Sequence, residues 1–164
     1  MQKIIITFLI LLSFFLSCSP IVMVLPKDVK KVYVEPVNNA TSEIGLEVEF
    51  TNAIVEEMLK DGRAHPVNTP EESDGILNAV IERYIVRRMF TFGDDDSRLY
   101  YQDQYEIIIV VSVSFIDKNK SVVLWTKPNM KGIQIDYMTN LKSVRDNIWE
   151  KFSRDIIRRI VKVV

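Results

Sequence analysis

The amino-acid sequence predicts an α+β domain, a two-layer sandwich in which two helices pack on one face of a mostly antiparallel sheet. Two segments repeat apolar residues every four positions, which is typical of amphipathic helices, and two long segments are rich in the alternation of half-buried strands. The elements follow the order strand, helix, strands, helix. Two helices and a sheet that are each apolar on one side can bury those sides against one another.

The first half of the chain supplies a strand, a helix and an edge strand. Polar and apolar side chains alternate along residues 31–35 up to Pro36, which predicts a strand. Residues 38–42 are expected to form a loop. In the helix that follows, Gly62 is the expected stop. The apolar face of this helix carries Leu46, Phe50, Ile54 and Met58 at four-residue spacing, with Val55 and Leu59 beside them. Residues 65–67 predict an edge strand, because the proline within them cannot donate a ladder hydrogen bond.

The second half begins with two long strands, at about 75–90 and 103–117, joined by the polar hairpin tip 93–98. A third antiparallel strand is expected at 122–126 and a short extended piece at 133–137. Simple alternation along the first long strand predicts that two sets of side chains point to opposite faces of the sheet. The first set is Leu77, Ala79, Ile81 and Ile85, and the second is Glu82, Tyr84 and Arg88.

The C-terminal segment predicts a second amphipathic helix that starts near Thr139 or Asn140 and runs almost to the end of the chain. Its apolar positions are Val144, Ile148, Phe152, Ile156 and Ile160.

Composition and motifs argue against catalysis and against nucleic-acid binding. The 164 residues contain 21 basic and 22 acidic side chains, a formal net charge of −1 that gives no basic footprint for nucleic acid. There is no Gly-rich phosphate loop, and the single histidine, His65, lies on the expected edge strand. Residues 94–96 lack the alternating ligands of a calcium loop. We therefore expect no enzyme activity, no cofactor and no metal site.

The N-terminus predicts a secretory signal peptide. A short basic start and a long apolar run lead to Cys18, and the ending Leu-Ser-Cys-Ser resembles the lipobox of bacterial lipoproteins. The resemblance implies that residues 1–17 are removed, that Cys18 is lipidated (palmitate among its acyl chains) and anchors the protein to a membrane, and that residues 18–29 form a tether before the domain 30–164. The alternative is an uncleaved anchor spanning residues 4–25.

A basic cluster is the most suggestive candidate for a binding site. Arg83, Arg87 and Arg88 lie along the first long strand, with Tyr84 among them, and Arg98 follows in the hairpin. Arginine side chains bind phosphate and carboxylate groups through paired N–H donors. The alternative is an ordinary solvated strand face.

Several segments together resemble the LptE family of lipopolysaccharide-assembly lipoproteins. They are residues 16–18, 32–39, 45–63, 73–77, 123–125 and 156–161. The resemblance implies a non-enzymatic lipoprotein on the periplasmic face of the outer membrane. Such a protein plugs and helps to assemble the LptD β-barrel and binds lipopolysaccharide, with Arg87 and Arg88 in the corresponding strand region. The alternative function is a periplasmic adaptor or structural lipoprotein that binds no glycolipid.

Overall fold

The structure is a computed structural model that describes residues 29–95, 98–137 and 141–162. Cys18, the signal peptide and most of the tether therefore lie outside the described residues. The described part contains six strands, two helices and one turn of 3-10 helix at Pro70–Glu72. The strands are β1 (Lys31–Val34), β2 (Asn38–Asn39), β3 (His65–Val67), β4 (Gly75–Asp95), β5 (Arg98–Asp117) and β6 (Val122–Tyr137), and the helices are α1 (Leu46–Asp61) and α2 (Leu141–Lys162).

The strands form one mixed sheet that is not closed, in the order β3-β1-β4-β5-β6, with β2 beside β4. The long strands β4, β5 and β6 pair with one another in antiparallel fashion, as the sequence predicts. Strand β1 runs parallel to β3 and to β4, and β2 runs parallel to β4. These parallel pairs arise because α1 carries the chain back across the sheet between β2 and β3. The α+β class and the two-layer arrangement are confirmed.

Both helices pack on the same side of the sheet and share one hydrophobic core with it. The predicted helix positions at four-residue spacing are all buried, including Phe50, Ile54 and Ile156, which have no exposed surface. The prediction is wrong for Leu59, which is 63 % exposed because the helix turns by ~100° between Met58 and the next residue. Helix α2 buries a broader face than predicted, because it packs against α1 as well as the sheet. Its Trp149 is 1 % exposed and stacks on Phe50 with ring centroids 4.7 Å apart. Burial of these large apolar side chains supplies the main stabilising free energy of the domain.

The predicted end of α1 is confirmed at Gly62. Its φ of 71° is left-handed, which glycine adopts without a steric penalty, and its N–H donates to the carbonyl of Met58 at 3.0 Å. The chain then turns directly into β3, which lies at one edge of the sheet as expected. Among the described residues, neither helix is long and apolar enough to cross a bilayer.

The face assignment of β4 after Ile81 is wrong, because a β-bulge reverses the alternation there. Ile81 pairs with Val111, but the next paired residue is Arg83, which faces Val110. Directly opposed residues in an antiparallel pair point to the same side of the sheet. Tyr84 therefore points towards the helices and packs against the core, whereas Ile85 points away from them.

The third antiparallel strand is longer than predicted. The segments 122–126 and 133–137 belong to one strand, β6, which pairs with β5 along almost its whole length. Two register shifts interrupt this pairing, and Asn129, which lies within the shift between Lys127 and Met130, has a left-handed φ of 53°. Pro128 and the polar residues around it masked this continuity in the sequence, because they resemble a turn.

Candidate functional site

The side of the sheet that carries no helix among the described residues presents an ordered pattern of charged and apolar side chains. We call this side, over strands β4, β5 and β6, the outer face. Three rows of directly opposed residues cross these strands. The rows are Arg83–Val110–Lys131, Ile85–Ile108–Ile133 and Arg87–Glu106–Ile135.

The bulge in β4 places two arginines on the outer face. Without it, Arg83 and Arg87 would continue the alternation of Leu77, Ala79 and Ile81 and would point into the helix layer. The side chain of Glu82, the extra residue of the bulge, accepts a hydrogen bond from the hydroxyl of Ser112. The bulge thus moves charge out of the core while Tyr84 takes the core position.

Apolar side chains occupy the middle row of the outer face and one position in each neighbouring row. Ile108, in the middle row, and Val110, in the row of Arg83, are only 6 % and 2 % exposed although no described helix covers them. Ile133 and Ile135, on the edge strand, remain about half exposed at 46 % and 50 %. The result is an apolar strip whose outer half is open to solvent.

The charged side chains that border this strip differ in their partners. Arg87 lies 3.7 Å from Glu106 and is 61 % exposed, a surface ion pair that contributes little stability. Arg83 and Lys131 are exposed, and no carboxylate of the described residues forms an ion pair with either. Adjacent strands lie ~4.8 Å apart, so the Cα atoms of Arg83 and Lys131 are ~10 Å apart across β5. Two long cationic side chains can therefore meet one anionic group above Val110.

The structure separates the predicted basic cluster. Arg83 and Arg87 share the outer face, but Arg88 is opposite Tyr105 and therefore lies on the helix side of the sheet. Arg98 pairs through its backbone with Asp95 at the far end of the hairpin, and its side chain lies outside the described residues. Sequence reasoning missed Lys131, because its place beside Val110 depends on the register of β6. The alternation of Lys131, Ile133 and Ile135 was the available signal.

The other polar residues considered in the sequence, His65 and the acidic residues 94–96, form no catalytic or metal site among the described residues. His65 is exposed on edge strand β3, as expected. Among the described residues, no group of histidine, cysteine and carboxylate side chains could hold a metal ion. Asp96 lies outside those residues.

An ion pair between the helices fixes the layer that covers the other side of the sheet. The guanidinium of Arg145 donates to both carboxylate oxygens of Glu49, at 2.8 and 3.0 Å, and Trp149 Nε1 donates to the same carboxylate at 3.1 Å. Burial alone would raise the pKa of Glu49, but these hydrogen bonds outweigh it and hold that pKa below its usual value. The hydrogen bonds to Glu49 and Tyr84 raise the pKa of Arg145.

The fold defines a class of protein: an α+β domain whose two helices cover one side of a mixed sheet, while no described helix covers the other side. The model of the family described as LptE, Lipopolysaccharide-assembly, matches residues 29–162. The chain therefore belongs to the LptE family, which is a family of non-enzymatic assembly lipoproteins. No curated protein matches the chain.

Two solved structures show the same fold at low sequence identity. A PelC dodecamer from Paraburkholderia phytofirmans, solved as a point variant, is 16% identical, with 84% of this chain and 90% of that chain covered and a TM-score of 0.54. Protein XCC0632 from Xanthomonas campestris is 9% identical, with 88% and 90% covered and a TM-score of 0.53. At these identities the likeness extends to the fold alone.

Proposed function

We propose that this chain is a lipoprotein of the outer membrane that plugs the lumen of an LptD-type β-barrel, assists assembly of that barrel and binds lipopolysaccharide on its way to the cell surface. Membership of the LptE family supports a role in lipopolysaccharide assembly. The observation that supports lipopolysaccharide as the ligand is the pattern of the outer face, where an apolar row lies between two rows that contain cations.

Lipopolysaccharide matches this pattern because its lipid A part joins phosphate groups to acyl chains. Arg83 and Lys131 would donate to a phosphate, since charge-assisted hydrogen bonds from arginine and lysine to phosphate are strong. The exposed surface of Ile133 and Ile135 would contact the adjoining acyl chains, which gains about 25 cal/mol per Å2 of apolar surface removed from water. Arg87 would contribute less, because Glu106 already offsets its charge.

Charge reversal on the outer face tests the ligand assignment. The double variant R83E/K131E should bind purified lipopolysaccharide about tenfold more weakly, because two exposed charge contacts contribute up to ~1 kcal/mol each. The loss should be largest at low salt, where charges are least screened. The control is R88E, a charge reversal on the same strand as Arg83 but on the opposite side of the sheet. Equal weakening in R88E would remove the outer face from the binding site.

Co-purification tests the barrel partner. A plug should form a tight one-to-one complex with an outer-membrane β-barrel, and that complex should survive washing at high salt. Barrel assembly should also decline when the plug is depleted. A purified envelope fraction in which the protein carries lipopolysaccharide but no barrel would contradict the plug and leave the glycolipid site standing.

The anchor rests on Cys18, which lies outside the described residues. We expect processing before Cys18 and lipid attachment to it, so that C18S should leave the membrane fraction or keep its signal peptide. Mass spectrometry of the mature N-terminus would show the change. A C18S protein with unchanged mass and equally firm membrane binding would favour the uncleaved anchor over residues 4–25.

A further inference from the structure

A groove lies at the free edge of the sheet, between β6 and helix α2. It encloses about 430 Å3. Its floor is formed by Met130, Ile148 and Phe152, which are between 1 and 6 % exposed in the folded domain. We call it the edge groove. It opens beside the helix layer, and it shares Lys131 and Ile133 with the β6 edge of the outer face.

Gly132 allows α2 to pack closely against β6 at the floor of the edge groove. A Cβ atom at this position would lie 2.5 Å from Cγ2 of Ile148 and 3.0 Å from Cζ of Phe152. The strand therefore presents no side chain there, and the helix approaches it closely. An incoming side chain placed beside Gly132 would contact the Ile148 and Phe152 side chains directly.

Strand β6 offers backbone hydrogen-bonding groups along this groove. It is the last strand in the sheet and pairs only with β5, so no described strand lies along its other side. Edge strands present alternate N–H and C=O groups that can pair with another extended chain. The groove is thus bordered by an open strand edge on one side and by α2 on the other.

The rim of the edge groove is basic. Lys127 and Lys131 on β6 and Lys151 on α2 line it, and no described carboxylate forms an ion pair with any of them. The one carboxylate in the lining, Asp155, already accepts a hydrogen bond from Arg159 at 3.0 Å. This local excess of positive charge contrasts with the formal net charge of −1 for the whole chain.

We propose that the edge groove binds an extended acidic segment of a partner polypeptide, which adds to the sheet as a strand beside β6. The backbone of the segment pairs with the open edge, and apolar side chains at its centre enter the groove beside Gly132. Acidic side chains that flank them on the same side of the sheet meet Lys127 and Lys151, and acidic side chains at the intervening positions meet Lys131 on the other side. Strand addition obtains its affinity from main-chain hydrogen bonds and its specificity from such alternate side-chain contacts.

The direct probe is a synthetic valine–glutamate peptide of about nine residues, which is a usual strand length. It carries valine at the central positions that face the groove and glutamate at all other positions. It should bind the purified protein saturably and slow the hydrogen exchange of β6 backbone amides. Binding should weaken about tenfold in K127E/K151E, with up to roughly fivefold expected for each exposed charge pair. The control K60E reverses a lysine on α1 outside the edge groove and should bind normally.

Two further peptides separate strand addition from simple charge attraction. Replacing each glutamate by lysine should abolish binding, and methylating alternate backbone amides of the valine–glutamate peptide should weaken it at least tenfold. Equal binding of the methylated peptide, or slowed exchange outside β6 and α2 only, would overturn the proposal. Concentration-dependent self-association through β6 that excludes the peptide would also overturn it, in favour of a second copy. Because Lys127 and Lys151 lie outside the three outer-face rows, lipopolysaccharide binding should persist in K127E/K151E.

Discussion

The ion pair between the two helices supports the sharpest stability prediction. Replacing Glu49 by glutamine keeps the size of the side chain but removes its charge. The variant side chain retains one oxygen acceptor, and its new amide group faces donors of Arg145 or Trp149. E49Q therefore loses the attraction across the pair and at least one of three hydrogen bonds.

The geometry sets the size of the loss. A surface ion pair contributes up to ~1 kcal/mol, whereas breaking a fully buried pair costs ~3–5 kcal/mol. The side chains of Arg145 and Glu49 are 15% and 24% exposed, which places this pair between those limits. We expect E49Q to lower the free energy of unfolding by about 2 kcal/mol. For a domain of this length that corresponds to a decrease in Tm of roughly 6–10 °C.

Urea unfolding followed by circular dichroism measures this loss at neutral pH. The matched control is E57Q, because Glu57 lies on the same helix and its ion pair with the half-exposed Arg154 is longer, at 3.8 Å. E57Q should change the free energy of unfolding by less than ~0.5 kcal/mol. A double-mutant cycle with R145M should return a coupling of at least ~1 kcal/mol between Glu49 and Arg145.

The pH dependence supplies an independent check. The pKa of Glu49 is lowered in the folded protein, so its contribution is fully present above its unfolded value of about 4.5 and is lost as the pH falls through the folded pKa. Wild type and E49Q should therefore converge in stability in acid and differ most at neutral pH. A constant difference at every pH, or a loss no larger than that of E57Q, would refute this account of the pair.

Three further substitutions test packing and backbone support. F152D buries a carboxylate at a position that is 6 % exposed in the wild type and should prevent folding or cost more than ~3 kcal/mol, seen as lost near-UV circular dichroism and a lowered Tm. G132V forces its side chain against Ile148 and should cost ~1–3 kcal/mol in urea unfolding; a neutral effect would show that α2 yields easily. D74A removes the carboxylate that accepts the N–H groups of Lys30 and Lys31 at 3.1 and 2.9 Å, and its unfolding midpoint should fall by an amount equivalent to ~1–2 kcal/mol.

The two helices could be predicted because their signal is local. Apolar residues at four-residue spacing must share one side of a helix, whatever that side packs against. The positions at four-residue spacing are all buried, from Leu46 in α1 to Ile160 in α2, whereas Leu59, predicted beside them, is exposed. Trp149 was not among them, because its burial depends on the contact between α1 and α2.

The outer face illustrates what local reasoning lacks. The residue types in β4 predicted a basic strand, but only the pairing with β5 reveals the bulge that separates Ile81 from Arg83 in register. That bulge assigns Arg83 and Arg87 to one side of the sheet and Arg88 to the other. A one-residue slip reverses every later side chain, so the face of each arginine could not follow from alternation alone.

The sequence by itself determined both helices, the strands β1, β3, β4 and β5, the α+β class and the resemblance that the family match confirms, because these depend on local periodicity and on the order of segments. It missed β2, which lies in the predicted loop 38–42, and the continuity of β6. Only the tertiary structure decided which charges lie together. Lys131 joins Arg83 through the register of β5 and β6, and Lys151 joins Lys127 through the packing of α2 on Gly132. Both pairings join residues distant in the chain, and the free energy that sets them comes from burying the whole core rather than from any single segment.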